Sequence, residues 1–220
     1  MKKKGVILLI TLFFIISISI LILKNLSDTN SYLTEQNSKF AKVQMLYYIN
    51  NIKNEFLRLL KDTNKEGLVK YFNMNFPVQM EDIKIKIRLE EYNKYNINLL
   101  KAKDKKDYYY FSEFLKSYDI YDIYILQSIL SELNTIRTNK QLDEVFKRFD
   151  KESYNNNLFK VKNYIGFVEY DKKDFSSQAS NENLLVELFI EIKYLKYEMK
   201  AYYILKKETQ GVEYFEYSFK

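Results

Sequence analysis

The chain of 220 residues has no cysteine, no histidine and no tryptophan, and it has only four glycines and one proline. Without cysteine it cannot form a disulfide, a thiolate metal site or a cysteine nucleophile. Without histidine it cannot build a Ser-His-Asp triad, a zinc site with histidine ligands or an imidazole proton shuttle. Most hydrolase and metalloenzyme designs are therefore excluded. Because no other catalytic constellation is present, we predict a protein that is not an enzyme.

The composition is that of one folded domain with a nearly balanced surface. Apolar residues make up 47% of the chain and aromatic residues 17%, which is too many for a disordered protein. The 35 basic and 29 acidic residues give a net charge of +6, and three of those positive charges are Lys2, Lys3 and Lys4. Without them the charge is far from that of a nucleic-acid polycation, so we expect no nucleic-acid partner.

Residues 6–24 are predicted to cross a membrane. The run from Val6 to Leu23 is apolar except for three hydroxyl residues, and with Gly5 it has 19 residues. At about 1.5 Å per residue this helix spans the hydrocarbon core, which is about 30 Å thick. Three lysines precede the run, which favours a cytoplasmic N-terminus with the remainder outside. A cleaved secretory signal is the alternative, although such signals have a shorter apolar core of about 7–15 residues.

The junction between Gly5 and Val6 resembles the cleavage site of type IV prepilins and type II secretion pseudopilins. In those families a membrane peptidase removes a basic leader, here residues 1–5, after its glycine. The absence of a Cβ lets the peptidase approach the backbone closely. Most members carry glutamate at the fifth mature position, where this chain has Ile10. One branch, the K-type minor pseudopilin, characteristically lacks that glutamate.

Residues 25–61 predict an amphipathic extension of the same helix, and the segment from Asp62 to Gly67 ends it. Asp28–Ser31 is a place where the helix could loosen. Apolar residues recur at three- and four-residue steps, and we expect this face to cover a sheet. They are Phe40, Val43, Leu46, Tyr47, Ile49, Ile52, Phe56, Leu59 and Leu60.

Residues 62–106 contain the first predicted strand, where isoleucine and leucine alternate with charged residues from Ile83 to Leu89. The residues that follow resemble the K-type signature Asp-x-x-Gly-x-Phe-Asn-Leu-Asn-x-Leu. Asparagine tolerates the positive φ that a glycine has in a tight turn, so it suits the glycine place. The two asparagines further on can bond loop backbone through their amides. The matching residues are Glu90 for Asp, Asn93 for Gly, Tyr95 for Phe, and Asn96 and Asn98 for the two asparagines.

The remaining chain predicts a helical insert and a β-meander. Helical spacing of apolar residues recurs over residues 107–157, with Asn139 as the expected N-cap of the last helix. Residues 158–170 predict a strand or hairpin around Gly166, and alternation over residues 185–219 predicts three C-terminal strands within a 158–220 meander. The fold class is α+β, with a long N-terminal helix packed on an antiparallel, pilin-like sheet that carries a small helical subdomain.

The resemblance implies a minor pseudopilin at or near the tip of a periplasmic pseudopilus, anchored in the inner membrane. Its implied partners are the I- and J-type minor pseudopilins and the prepilin peptidase, and the new amine at Val6 is usually methylated. A pseudopilin of a DNA-uptake system, in which tyrosines and lysines over residues 194–207 contact DNA, remains an alternative. A second alternative is an unrelated membrane-anchored binding or enzyme domain. No cofactor is expected; calcium is the exception that the family allows, although the chain has no Asp-x-Asp-x-Asp loop.

Overall fold

Residues 2–62 form one helix without a break. The computed structural model describes residues 2–101, 106–154, 157–169 and 184–220, and the side chains from Leu12 onward except that of Lys106. Helix α1 spans Lys2–Asp62, including the segment Asp28–Ser31 that the sequence suggested could loosen. Within the described part of the chain, this is the one helix long and apolar enough to cross a membrane. Its apolar side chains from Leu12 to Leu26 are exposed, so they are free to face lipid.

The second half of α1 buries only one of its apolar stripes. Ala41, Met45 and Ile49 are almost completely buried against the sheet, and Phe56 and Leu60 continue the same stripe. Phe40, Val43 and Tyr47 are 56–64% exposed, so the prediction that they cover the sheet is wrong. With 3.6 residues per turn, these three side chains project from the side of the helix opposite to Ala41 and Met45.

Five antiparallel strands form the sheet, in the order β1-β2-β5-β6-β7. The predicted strand over Ile83–Leu89 and the C-terminal meander are both confirmed. Two further short strands, β3 and β4, pair in parallel away from this sheet. The bounds are β1 (Asn75–Met80), β2 (Ile83–Glu91), β3 (Tyr95–Asn96), β4 (Ile165–Gly166), β5 (Leu185–Tyr194), β6 (Tyr197–Lys206) and β7 (Gly211–Phe219).

The strand register divides the sheet into an inner and an outer face. Ile87, Ile190 and Ala201 lie opposite one another across β2, β5 and β6, so their side chains share a face. All three belong to the core that contains Ala41 and Met45, which makes this the inner face under α1. The outer face carries the alternate residues, most of them polar.

Short helices lie between β2 and β5 along the chain and have a hydrophobic core of their own. The last long helix is capped by Thr138, whose side-chain oxygen accepts a hydrogen bond from the backbone N–H of Gln141, and not by Asn139 as predicted. The predicted N-cap is therefore one residue too late. Thr138 has the extended backbone that an N-cap requires, and Asn139 is already the first residue of the helix. Between β2 and β5 the helices are α3 (Lys106–Lys116), α4 (Ile123–Glu132), α5 (Asn139–Ser153) and α6 (Asn157–Lys160), with 3-10 turns at Ile97–Lys101 and Lys162–Tyr164. The remaining short helix, α2 (Lys65–Val69), lies between α1 and β1, and its Leu68 is buried in the core under α1.

Residues 157–169 pack with the helices and not with the meander. Leu158, Val161 and Ile165 are buried in the helical core, and the meander begins at Leu185. The expected hairpin around Gly166 is absent from residues 157–169; this glycine lies in β4, beside Tyr92. A Cβ at Gly166 would come within 2.1 Å of the Tyr92 hydroxyl oxygen, so a larger residue there would displace the Tyr92 side chain. Residues 170–183 lie outside the described part of the chain.

The two stripes of α1 predict a large and a small loss of stability when a side chain is truncated to alanine. We expect Ile49→Ala to lower the free energy of unfolding by about 2–4 kcal/mol, because it leaves a cavity against the sheet. Val43→Ala removes an exposed side chain and should change it by less than about 0.5 kcal/mol. Denaturant unfolding of the detergent-solubilised chain, followed by near-UV circular dichroism, measures both. Equal losses for the two variants would contradict the packing described.

Candidate functional site

The exposed side of α1 carries a row of apolar residues that runs from the apolar N-terminal segment to the sheet. Leu26, Leu33, Phe40 and Tyr47 follow one another at seven-residue intervals, and Val43 lies between the last two. All five are 53–67% exposed. Seven-residue spacing keeps side chains on nearly the same side of a helix, which is the arrangement that helices use to pack along one another.

The predicted processing residues lie at the beginning of this helix. Gly5, Val6 and Ile10 fall within the first three turns of α1. Their side chains lie outside the described part of the structure, so the predicted roles in leader removal and filament packing remain predictions.

The first two residues of the signature, Glu90 and Asn93, lie at the exit of β2. The Glu90 carboxylate is 3.0 Å from Nε of Arg88 and lies across from Glu187 of β5. Asn93 is exposed, and it is not among the described residues with a positive φ. The expectation that Asn93 replaces a turn glycine is therefore wrong. The chain passes from β2 to β3 without a turn, so no left-handed residue is needed there.

The other three signature residues attach the exit of β2 to the helical core. Tyr95 stacks on Phe111, with ring centroids 5.0 Å apart and planes at 2°. The Asn98 side chain donates to the Ile136 carbonyl oxygen at 3.0 Å and accepts from the Ile136 backbone N–H at 2.8 Å. Asn96 Oδ1 accepts from both the backbone and the amide of Asn98, each at 3.0 Å. These residues join segments 38 positions apart, so their role here is to hold the loop before α5.

A buried ionic cluster that the sequence analysis missed lies beside this exit. Glu187 is 2% exposed, although it occupies the outer face of β5. Its Oε1 atom accepts from the Lys94 ammonium at 2.6 Å and from the Tyr202 hydroxyl. The Lys94 ammonium lies 5.6 Å from the ring centroid of Tyr92 and 5.9 Å from that of Tyr202. The alternation of β5 placed Glu187 on the polar side, and only the tertiary fold brings Tyr92 and Lys94 over it.

Burial keeps the phenols of this cluster protonated. Burial and the nearby Glu187 charge raise the pKa of Tyr202, and burial is the larger cause. Burial likewise raises the pKa of Tyr92, whose oxygen accepts from the Val168 backbone N–H at 3.3 Å. Burial and the hydrogen bond to Glu216 raise the pKa of Tyr214 to about 12. Because a protonated phenol donates one hydrogen bond, Tyr202 donates to Glu187 and Tyr214 donates to Glu216 at neutral pH.

A cleft of about 950 Å³ opens on the outer face, between the sheet and the helices. Its charged groups largely neutralise one another. Lys162 from the helical side pairs with Asp143 at 2.7 Å, and Arg88 lies over the Phe189 ring at 4.5 Å while pairing with Glu90. With both charge signs present and mostly paired, the cleft shows no preference for an anionic or a cationic ligand.

The tyrosine- and lysine-rich segment of residues 194–207 is divided between the two faces of the sheet. Tyr197 and Tyr203 are buried under α1, so their rings are not available to stack on bases. Lys200 pairs with Glu198 at 3.0 Å, and Lys193 pairs with the same carboxylate at 3.3 Å. Over the described residues no group of three acidic side chains could hold a metal ion such as calcium.

In comparisons with protein-family models, curated proteins and solved structures, nothing matches this chain.

The buried cluster predicts a strong effect of one charge deletion. Lys94→Met leaves the Glu187 carboxylate buried without its cation, and we expect the free energy of unfolding to fall by about 3 kcal/mol. The double variant Lys94→Met with Glu187→Gln removes the unpaired charge and should recover part of that loss. Denaturant unfolding at neutral pH measures both. A double variant as unstable as the single one would contradict the assignment of an ion pair.

Proposed function

We propose that this chain is a minor subunit of a pilus-like filament anchored in the inner membrane, of the kind represented by the K-type pseudopilin of type II secretion. The observation that carries the proposal is that the two parts of α1 have different surroundings. Its first part exposes an apolar segment long enough to cross a membrane, and its second part packs one stripe on an antiparallel sheet. The opposite stripe is apolar and exposed, which suits packing beside the helices of other subunits.

The proposed arrangement has the N-terminus in the cytoplasm and the sheet and helices in the periplasm. The peptidase removes residues 1–5, and the apolar helix that begins at Val6 then packs with those of the other subunits. The I- and J-type minor pseudopilins are the proposed neighbours. The globular part helps to start assembly of the filament and catalyses no reaction, in keeping with the absence of cysteine and histidine.

Ile10 supports a place at the tip of the filament. In an ordinary subunit, the glutamate at this position neutralises the N-terminal amine of the neighbour ahead. A subunit with isoleucine offers no carboxylate, so a facing ammonium would be buried without a partner, which is unfavourable. A subunit at the tip has no neighbour ahead and does not incur this cost. The same helix could serve a DNA-uptake filament, but the paired lysines and buried tyrosines of residues 194–207 give that role no support.

Removal of the leader is the first test of the proposal. Intact-mass measurement on the chain extracted from its native membrane should show the loss of Met1–Gly5 and one methyl group on Val6. Gly5→Leu should retain the leader, because its side chain blocks close approach to the backbone. Lys3→Arg, which keeps the charge, should be processed normally. A wild-type chain that retains Met1 to Gly5 would refute the proposal and favour a simple membrane anchor.

Position 10 gives the second test. In cells that export a cargo through the filament, Ile10→Glu should lower secretion, because it places a carboxylate in the membrane where a tip subunit has no amine to pair with it. Ile10→Val is the matched control and should leave secretion unchanged. The amount secreted into the medium, normalised to the amount of the subunit in the membrane, is the quantity to compare. Unchanged secretion with Ile10→Glu would count against a place at the tip.

A further inference from the structure

Among the described residues, β1 and β7 are the two edges of the five-stranded sheet, and they differ in their capacity to accept another strand. The first edge, β1, has six residues and includes Pro77, which has no N–H to donate. The second edge, β7, has nine residues and no proline. Unpaired edges invite added strands unless such features prevent them, and of the two only β1 carries a proline.

The backbone groups that β7 presents at its free edge can be assigned from its pairing with β6. Lys220 and Glu198 exchange both backbone hydrogen bonds, at 2.8 and 2.9 Å. In an antiparallel ladder such pairs alternate, so Ser218 and Glu216 also direct their N–H and C=O groups toward β6. Phe215, Tyr217 and Phe219 therefore direct theirs away from the sheet.

The same three residues form an aromatic row that α1 covers only in part. Phe215 and Tyr217 are each 41% exposed. Tyr203 stacks on Phe215 at 4.4 Å and Phe215 on Tyr217 at 5.6 Å, so the row continues the inner face. On the α1 side, the Lys42 ammonium lies 5.8 Å from the ring centroids of Tyr217 and Phe219. An added strand would find an apolar surface on this side.

The outer side of β7 carries one acidic residue, Glu216, and the bulge in this strand carries another, Glu213. The Glu216 carboxylate accepts hydrogen bonds from Asn139 and from the Tyr214 hydroxyl, both of which are neutral. Glu213 is exposed at the bulge that separates Tyr214 from Val212 in the register. Among the ion pairs of the described residues, neither carboxylate is joined to a lysine or an arginine. A partner with basic side chains beside these two residues would pair with both charges.

A second copy of this chain is a poor occupant of the edge. Tyr197 donates to the Thr34 carbonyl oxygen and Lys207 to that of Thr63, so α1 runs in the same direction as β6 and opposite to β7. Antiparallel pairing of two β7 strands would reverse one α1 relative to the other, and both could not enter the same membrane from the same side. Parallel pairing about an axis along the strands would set the aromatic row of one copy beside Glu216 and Ser218 of the other.

We propose that the free edge of β7 is a docking site for an extended segment of a different protein, in which apolar residues alternate with basic ones. The segment adds a sixth strand to the sheet. Its backbone pairs with Phe215, Tyr217 and Phe219, its apolar side chains extend the aromatic row, and its basic side chains face Glu213 and Glu216. The exclusion of a second copy rests on the proposed membrane anchor. A chain that retains residues 1–5 would still be anchored in the membrane, so that result would refute the pilus-like function without refuting this docking site.

Site-specific photo-cross-linking of the full chain in its native membrane tests this proposal. Benzoylphenylalanine is placed at position 215, 217 or 219 in turn, and at Val78 of β1 as the control edge. We expect attachment sites that advance by two residues along one partner segment for each two-residue step on β7, and no such series from Val78. A lack of protein adducts, adducts to lipid or to a second copy, or sites without this two-residue advance would overturn the proposal.

Two substitutions separate backbone pairing from simple apolar contact. With the probe at position 215, Tyr217→Pro removes an outward N–H without removing a bond to β6 and should lower the adduct yield about tenfold. Tyr217→Thr loses the same ring but keeps the N–H, so its adduct yield should exceed that of Tyr217→Pro by about fivefold. If Tyr217→Pro unfolds the chain, Tyr217→Asp serves instead, because an added strand would bury its carboxylate. Equal yields for the threonine variant and the disrupting variant would also overturn the proposal.

Discussion

The structure depends on the contact between one stripe of α1 and the inner face of the sheet. Ala41, Met45 and Ile49 are buried together with Ile190 and Met199, which lie at the centre of the sheet. This contact fixes the direction in which the helix leaves the sheet. It also decides which stripe remains free, because a helix that buries one side must expose the opposite one. The exposed stripe and the partly covered edge of β7 both follow from this one packing arrangement.

A second constraint holds the helices to the outer face of the same sheet. Lys94 and Glu187 are 93 residues apart along the chain, and their ion pair closes the junction between the exit of β2 and β5. Tyr92 packs against Gly166 within the same junction, where a larger residue would displace the Tyr92 side chain. Because the carboxylate is buried, the ion pair is costly to break. The helices are therefore attached to the sheet by a charged contact as well as by apolar packing. The two hydrogen bonds between the Asn98 side chain and the backbone of Ile136 support the same junction from the side of the helices.

Local patterns predicted the elements better than they predicted the contacts. Strict alternation identified the strand from Ile83 and the C-terminal meander, since a half-buried strand repeats every two residues. The helical periodicity of residues 40–60 was equally clear, but it contained two apolar stripes, and periodicity cannot say which of them meets the sheet. The glycine place at Asn93 was misread for a related reason: a sequence signature carries no φ angle, and here the backbone continues without a turn. Glu187 was missed because a single charged residue on the polar side of a strand looks like any other.

The sequence alone determined the apolar N-terminal helix, the strands that alternate and the exclusion of cysteine and histidine chemistry. These properties depend on residue types and on spacing along one segment, so they need no knowledge of distant residues. The tertiary structure decided which stripe of α1 is buried, that Glu187 receives Lys94 and Tyr202, and that β7 is the edge without a proline. Each of these depends on segments far apart in the chain coming together, and only the packed fold defines such contacts.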